Sequence, residues 1–305
     1  MNNVLLPNLI IAGVHKAATT SLFTYLAVHP DIYGPGKKEI HYFTPLRFGN
    51  DIQDVEEYKK FFIGRKDERY ALDGSPSYIY GGQVLRQAMR RVLPDHKIIV
   101  ILRNPVSRFL SNYNYLRAKL LIDTNEGIDM FVEKCIQASK MPLIDTDYSR
   151  AIVEGKYFDF IPEWFDEYGS DNFKIIFFED FIVNPQTIMC DLANWLDIDS
   201  TPFQNMKYTI ENKTSFVRNK ILHGYVLKLN DALEDVLRKN HKLKVWLRDV
   251  YYKINRDNKQ NQAPVEQNTI NEIIAPLYID SNKKLKKYLC DKGVGQLPNW
   301  VCGKQ

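Results

Sequence analysis

The chain has 305 residues, 45% of them hydrophobic, and 41 Lys and Arg against 37 Asp and Glu give a formal net charge of +4. That length and apolar content suit one large α/β core, so residues 1–305 are expected to form a single domain, and the mild positive charge calls for no nucleic-acid partner. No apolar run reaches the length of a membrane span, and the opening MNNVLLPN lacks the cationic start and apolar stretch of a secretion signal.

The first predicted elements lie in residues 9–26, LIIAGVHKAATTSLFTYL. Residues 8–14 have the length and β-branched content of a buried strand. Leu22, Phe23, Tyr25 and Leu26 then recur at helical spacing behind Thr19, Thr20 and Ser21, predicting a helix near 20–29. Backbone N–H groups at a helix start lack intrahelical partners and the dipole is positive there. An anion can therefore sit against residues 18–21, with Lys16 adding a full charge. The loop is not the nucleoside-triphosphate loop GxxxxGK[ST], because Lys16 follows Gly13 by three residues and no second Gly precedes a Lys-Ser or Lys-Thr pair. An ordinary strand, turn and helix with a surface lysine is the bland alternative.

Further strands are expected at 70–75, 97–102 and 173–178, and helices near 83–93, 105–120, 157–168 and 185–196. The run 98–102 is wholly apolar, as in a central parallel strand, and Pro105 suits the first turn of the following helix. Arg103 falls at that strand's carboxyl end. Arg108, Ser111 and Tyr115 share one helical face, so an arginine and a serine can converge on a second anion. In a nucleoside triphosphatase an acidic, Mg²⁺-binding residue would be expected at this strand end. From about residue 220 the pattern is helical and polar, and the basic stretch 238–259 reads as a solvated helix face or an anion-binding surface. The order describes an α/β fold, a mainly parallel central sheet with helices on both faces and a helical C-terminal part at 220–305.

The four cysteines, at 135, 190, 290 and 302, are scattered, with no CxxC and no histidine pairs at ligand spacing. Reduced thiols and no metal site are expected, with a Cys290–Cys302 disulfide as the alternative. The sequon at 212–214 reads as part of a loop.

These segments resemble the sulfotransferases that use 3′-phosphoadenosine 5′-phosphosulfate (PAPS), and most closely the heparan-sulfate type and its bacterial relatives. The resemblance spans nearly the whole chain and rests on GVHKAATTSL at 13–22, KKEIHYF at 37–43, DGSPSY at 73–78, RNPVSRFLSNY at 103–113 and FKIIFFEDFIVNP at 173–185. It implies a P-loop-like three-layer fold. Gly13, His15, Lys16, Ala17, Ala18, Thr19, Thr20 and Ser21 would hold the 5′-phosphosulfate, and Arg103 and Ser111 the 3′-phosphate. The loop 211–220 would close over the nucleotide with Lys213 and Arg218. Glu39 would be the general base and Lys16 the cation that stabilises the departing phosphate, with the pair Tyr42 and Phe43 packing the loop. His41 is the rival base, since an imidazole titrates near neutrality. No metal is implied. The acceptor would be a glycan or a small molecule, first of all a sugar hydroxyl, then a sugar amine, then a natural product. A P-loop phosphotransferase and a non-catalytic binding module are the other classes. With the first strand so near residue 1, no stem or anchor is expected, and the expected location is the bacterial cytoplasm. Two departures stand out: Ala18 occupies a position where the family usually has Gly, and Gly74 and Ser75 replace a segment that carries a Lys in many animal heparan-sulfate enzymes.

Overall fold

Five short strands build one sheet: β1 (Leu9–Gly13), β2 (Ile32–Tyr33), β3 (Tyr70–Asp73), β4 (Lys97–Leu102) and β5 (Phe173–Phe177). The computed structural model describes residues 5–93, 95–123, 126–141, 146–209 and 272–303, together with Val226 and Leu229. The order across the sheet is β2-β3-β1-β4-β5, and every pairing is parallel. Strands covered on both faces have no reason to alternate in polarity. That is why LIIAG of β1 is buried throughout and IIVIL of β4 is as well. Register is set by pairs such as Ile10 opposite Asp73 and Ile98, and Leu102 opposite Phe177.

β1 has β3 on one side and β4 on the other, so the chain leaves adjacent strand ends in opposite directions and opens a crevice at their carboxyl edge. The helices around this edge are α1 (Thr19–Leu26), α2 (Val55–Lys59), α3 (Gly82–Val92) and α4 (Pro105–Ala118). Pro105 occupies the first turn of α4, and the Asn104 side chain caps it by accepting from the N–H groups of Val106 and Ser107 at 2.9 and 3.2 Å. Next come α5 (Ile128–Ser139), α6 (Asp147–Val153), α7 (Ile161–Asn172), α8 (Phe178–Val183), α9 (Pro185–Leu196) and α10 (Thr201–Gln204). The helix expected at 157–168 divides into a 3₁₀ turn, Tyr157–Asp159, and α7, which carries Pro162 in its first turn. Pro disfavours helical backbone at the residue before it and lacks an N–H, so it is accommodated in the first turn of a helix and separates α7 from the turn before it.

Two later helices, α11 (Ile279–Asp291) and α12 (Asn299–Cys302), return to the body of the fold. Tyr288 donates to Asp166 at 2.7 Å, and Ser281 Oγ accepts from the Phe158 N–H at 3.4 Å. The α/β class and the parallel sheet are as expected, and the described C-terminal residues 272–303 are helical, as expected. All four cysteines are free thiols. No helix among the described residues is long and apolar enough to cross a membrane.

Candidate active site

The loop between β1 and α1 runs through the left-handed region twice, at Lys16 (φ 68) and Ala18 (φ 61). Ala18 is the N-cap of α1 but offers no side-chain acceptor, and no acidic residue lies in the first turn. The positive end of α1 thus has neither a side-chain cap nor an acidic residue in its first turn, which suits an anion. Gly13 ends β1 so close to Ile79 that a Cβ would lie 2.7 Å from its Cγ2. Ala17, Thr19 and Ser21 are buried, while His15, Lys16, Ala18 and Thr20 are partly exposed.

Arg103 reaches back from the end of β4 and donates from Nη1 to the carbonyl of Lys16 at 2.8 Å, tying the two strand-end loops together. Its guanidinium lies 4.3 Å from the centroid of the Phe178 ring, and its Nε is buried without a hydrogen-bond partner among the described residues. A buried donor of this kind suits an added acceptor such as a phosphate oxygen. Ser111 lies two turns along α4 and is partly exposed. Arg108 does not join them. It is buried in the core, where it donates to the Ala151 carbonyl and lies 3.7 Å from Glu154, which Arg47 approaches to 2.9 Å.

The Lys16 ammonium rests 4.0 Å above the Tyr115 ring. Burial, followed by the charge of Arg103, lowers its pKa to about 8, with Glu39 pulling the other way. His15 is stacked against Tyr80 with centroids 6.5 Å apart. Burial lowers its pKa to about 4 despite the carboxylates of Glu154 and Glu39, so the ring is neutral at pH 7.

Glu39 and His41 both have positive φ, 63 and 61, in the turn at 37–43. Such strain in non-Gly residues persists only where surrounding contacts impose it. Here they are identifiable. Lys38 Nζ donates to Glu39 Oε1 at 2.6 Å, and Glu39 Oε2 is 3.5 Å from His41 Nε2. The His41 N–H donates to Ser75 Oγ at 3.0 Å, and Ser75 donates in turn to Asp73 Oδ1 at 2.7 Å. Asp73, buried at the end of β3, also accepts from Tyr58 at 2.7 Å and Tyr78 at 2.9 Å, and burial raises its pKa. On the other face of the His41 ring, Nδ1 is 3.2 Å from the hydroxyls of both Thr44 and Ser77. Those hydroxyls are themselves 2.7 Å apart. Nδ1 facing two hydroxyls and Nε2 facing a carboxylate favour the tautomer with its proton on Nε2. Tyr42 stacks on Tyr58 at 4.2 Å and Phe43 meets Tyr58 and Tyr78 edge-on, which packs the turn as expected.

Burial would raise the Glu39 carboxyl, but the hydrogen bond from His41 and the charge and hydrogen bond of Lys38 outweigh it. The group is held well below the usual carboxylate range. The charge of Glu39 also acts on Lys16, His15 and Tyr115. Sequence reasoning did not find Lys38 as the partner of Glu39, the Asp73 and Ser75 link, the Thr44 and Ser77 pair, or Tyr115 beneath Lys16. Asp73 and Ser75 lie in the motif at 73–78, but neither the place of Asp73 at the end of β3 nor its bond to Ser75 was expected. The loop 211–220 with Lys213 and Arg218, the sequon and the stretch 238–259 lie outside the described residues. Among the described residues, no group of three or more His, Cys, Asp or Glu side chains is arranged to hold a metal ion.

A family model described as a sulfotransferase domain matches residues 6–223. The chain is 28% identical over 182 residues to heparan sulfate glucosamine 3-O-sulfotransferase 6 of Homo sapiens, covering 59% of this chain and 48% of that protein. It is 25% identical over 210 residues to bifunctional heparan sulfate N-deacetylase/N-sulfotransferase 1 of Caenorhabditis briggsae, covering 65% of this chain and 23% of that protein. The alignments thus span less than half the length of these relatives. Among solved structures, a sulfotransferase from Alicyclobacillus acidocaldarius matches with a TM-score of 0.57 and 28% identity, over 68% of this chain and 85% of that one.

Proposed function

Given that the chain belongs to the sulfotransferase family and is a PAPS-dependent enzyme, we propose that it sulfates a carbohydrate hydroxyl by in-line displacement with Glu39 as general base. The observation that carries this reading is the setting of Glu39: ionised, braced by Lys38 and His41, and acting by its charge on Lys16.

Bound PAPS supplies the sulfuryl group and a phosphate as its leaving group. The chain's own groups do the rest. The N-terminus of α1 and Lys16 hold the 5′ side, with Gly13, His15, Ala17, Ala18, Thr19, Thr20 and Ser21 shaping that loop. Arg103, whose Nε has no partner among the described residues, and Ser111 hold the 3′-phosphate. Lys16 offsets negative charge as it grows on the departing phosphate oxygen. Glu39 takes the acceptor's proton as the acceptor oxygen attacks. His41 donates its Nε2 proton toward Glu39 and so orients the base, while Thr44 and Ser77 fix the ring. A carboxylate with a depressed pKa is a weak base at rest. Its basicity rises when an acceptor hydroxyl excludes water and draws on one of its oxygens, and the base is ionised over the whole working pH range.

Support for a carbohydrate acceptor comes from the Glu39-Ile40-His41 segment, which resembles the heparan-sulfate type, and from the two curated relatives, whose names place their action on heparan sulfate. A sugar amine is the second choice and a natural-product hydroxyl the third. Gly74 leaves the base turn with Lys38, whose Cγ would be 3.6 Å from a Cβ at 74, as the cation beside it. The acceptor geometry of the animal enzymes is therefore not transferred. The test is a mass-spectrometric screen of acceptors with PAPS. Gain of one sulfo group by a saccharide at its hydroxyl supports the reading; turnover confined to non-carbohydrate acceptors overturns its acceptor half.

A further inference from the structure

The peptide that joins Arg103 to Asn104 is pinned from both sides. Its carbonyl accepts from the Tyr157 hydroxyl at 2.7 Å, and its N–H donates to Glu179 Oε1 at 2.9 Å. Because a peptide is planar, fixing both polar atoms fixes the direction in which the chain leaves Arg103, and thus where its side chain starts. Both pinning groups are held by one residue. Trp300 donates its indole N–H to Glu179 Oε2 at 3.1 Å and sets its ring against Tyr157, with centroids 5.8 Å apart and planes at 64°. It also meets Phe177, the last residue of β5, with centroids 6.3 Å apart. Trp300 is only 9% exposed and comes from α12, well beyond residue 223, where the family match ends.

We infer that Trp300 is a positioning residue for the donor's 3′-phosphate site, holding Tyr157 and Glu179 so that they present Arg103 to the phosphate. The inference rests on the reading of Arg103 as a phosphate ligand. Two effects act in the same direction. With one oxygen on the Asn104 N–H and the other on the indole, both Glu179 oxygens have partners, and Arg103 Nε has no acceptor among the described residues. Removing the indole N–H frees a carboxylate oxygen whose charge already acts on Arg103, and that oxygen competes with the phosphate. It also loosens the peptide plane. Since Arg103 Nη1 is bonded to the Lys16 carbonyl, the disturbance reaches the other donor loop.

The test is calorimetric binding of 3′-phosphoadenosine 5′-phosphate (PAP) to the wild type, Trp300→Phe, Arg103→Ala and the double variant. Phe keeps an aromatic ring against Tyr157 and lacks only the N–H and part of the ring area. Calorimetry reads the affinity of the folded fraction separately from its amount. Trp300→Phe should weaken PAP about three- to tenfold, the scale of one lost hydrogen bond, with the KM for acceptor unchanged. In the Arg103→Ala background the same substitution should change affinity by less than about twofold, because both act through one group. PAP affinity in Trp300→Phe within about twofold of wild type, or an equal loss in both backgrounds, overturns the inference. An Arg103→Ala variant with unchanged affinity would instead overturn the donor-site reading beneath it.

Discussion

At pH 8 the Lys16 side chain is about half deprotonated in the free protein, because burial and the charge of Arg103 lower its pKa to about 8. A phosphate placed beside it returns the pKa toward its ordinary value, since an opposite charge favours the protonated form. Binding PAP should therefore take up about 0.5 proton at pH 8, about 0.1 at pH 7 and about 0.9 at pH 9, from the titration curve of a single group. The phosphates of PAP, with a second ionisation near pH 6, are already ionised at pH 8 and contribute little. Titration calorimetry in buffers of different ionisation enthalpy gives the count directly. Lys16→Met should bind more weakly and take up almost no proton. Uptake below about 0.1 at pH 8, or the same uptake in Lys16→Met, would refute the placement of the lysine against a donor phosphate. The same shift has a consequence for stability. Between pH 8 and the ordinary lysine value the unfolded chain binds more proton than the folded one, so the cost of burying Lys16 fades as pH rises through that window.

Lys38→Met removes a charge and a 2.6 Å hydrogen bond from Glu39. Halving the roughly 1.5–3 kcal/mol of a charged hydrogen bond for partial solvent screening leaves about one pKa unit. The Glu39 carboxyl should titrate about that much higher in Lys38→Met than in the wild type, read from its side-chain ¹³C shift on acidification; an unmoved titration contradicts the pairing. Ala18→Gly should relieve an alanine held at φ 61, stabilising by about 1 kcal/mol or less and raising Tm by about 2 °C in thermal unfolding, whereas Gly13→Ala, with its Cβ 2.7 Å from Ile79, should lower it. PAP should raise Tm while ATP and AMP do little, because only PAP presents both phosphate positions together; equal shifts from AMP would remove the 3′ site from the scheme.

The β1 and β4 junctions were legible because each is a fully apolar run cut off by a turn, and local pattern suffices for that. β2, two residues long, carries no periodicity, and its place at the sheet edge is set by pairing with β3. The turn that holds Glu39 was visible as a motif, but what strains and braces it was not. Ser75 and Ser77 reach His41 from 34 and 36 positions away in sequence, and Asp73 acts through Ser75, by single hydrogen bonds that no residue spacing announces. Arg108 illustrates the opposite error, since helical spacing placed it beside Ser111 while the structure turns it into the core toward Glu154. Trp300 gave no sequence signal at all, because a lone tryptophan near a chain end is as consistent with a core anchor as with a buttress of a distant loop.

The measurement that bears most directly on the proposed chemistry is the turnover of Glu39→Gln beside that of His41→Ala, each with its PAP affinity determined on the same preparation. Gln keeps shape and polarity but cannot accept the acceptor's proton. Turnover should fall about 10²–10⁴-fold with PAP affinity near that of the wild type, while His41→Ala, which loses only an orienting hydrogen bond, should fall less. Glu39→Gln retaining most of its turnover while His41→Ala abolishes it, with PAP binding intact in both, would make the histidine the base and contradict the role proposed for Glu39.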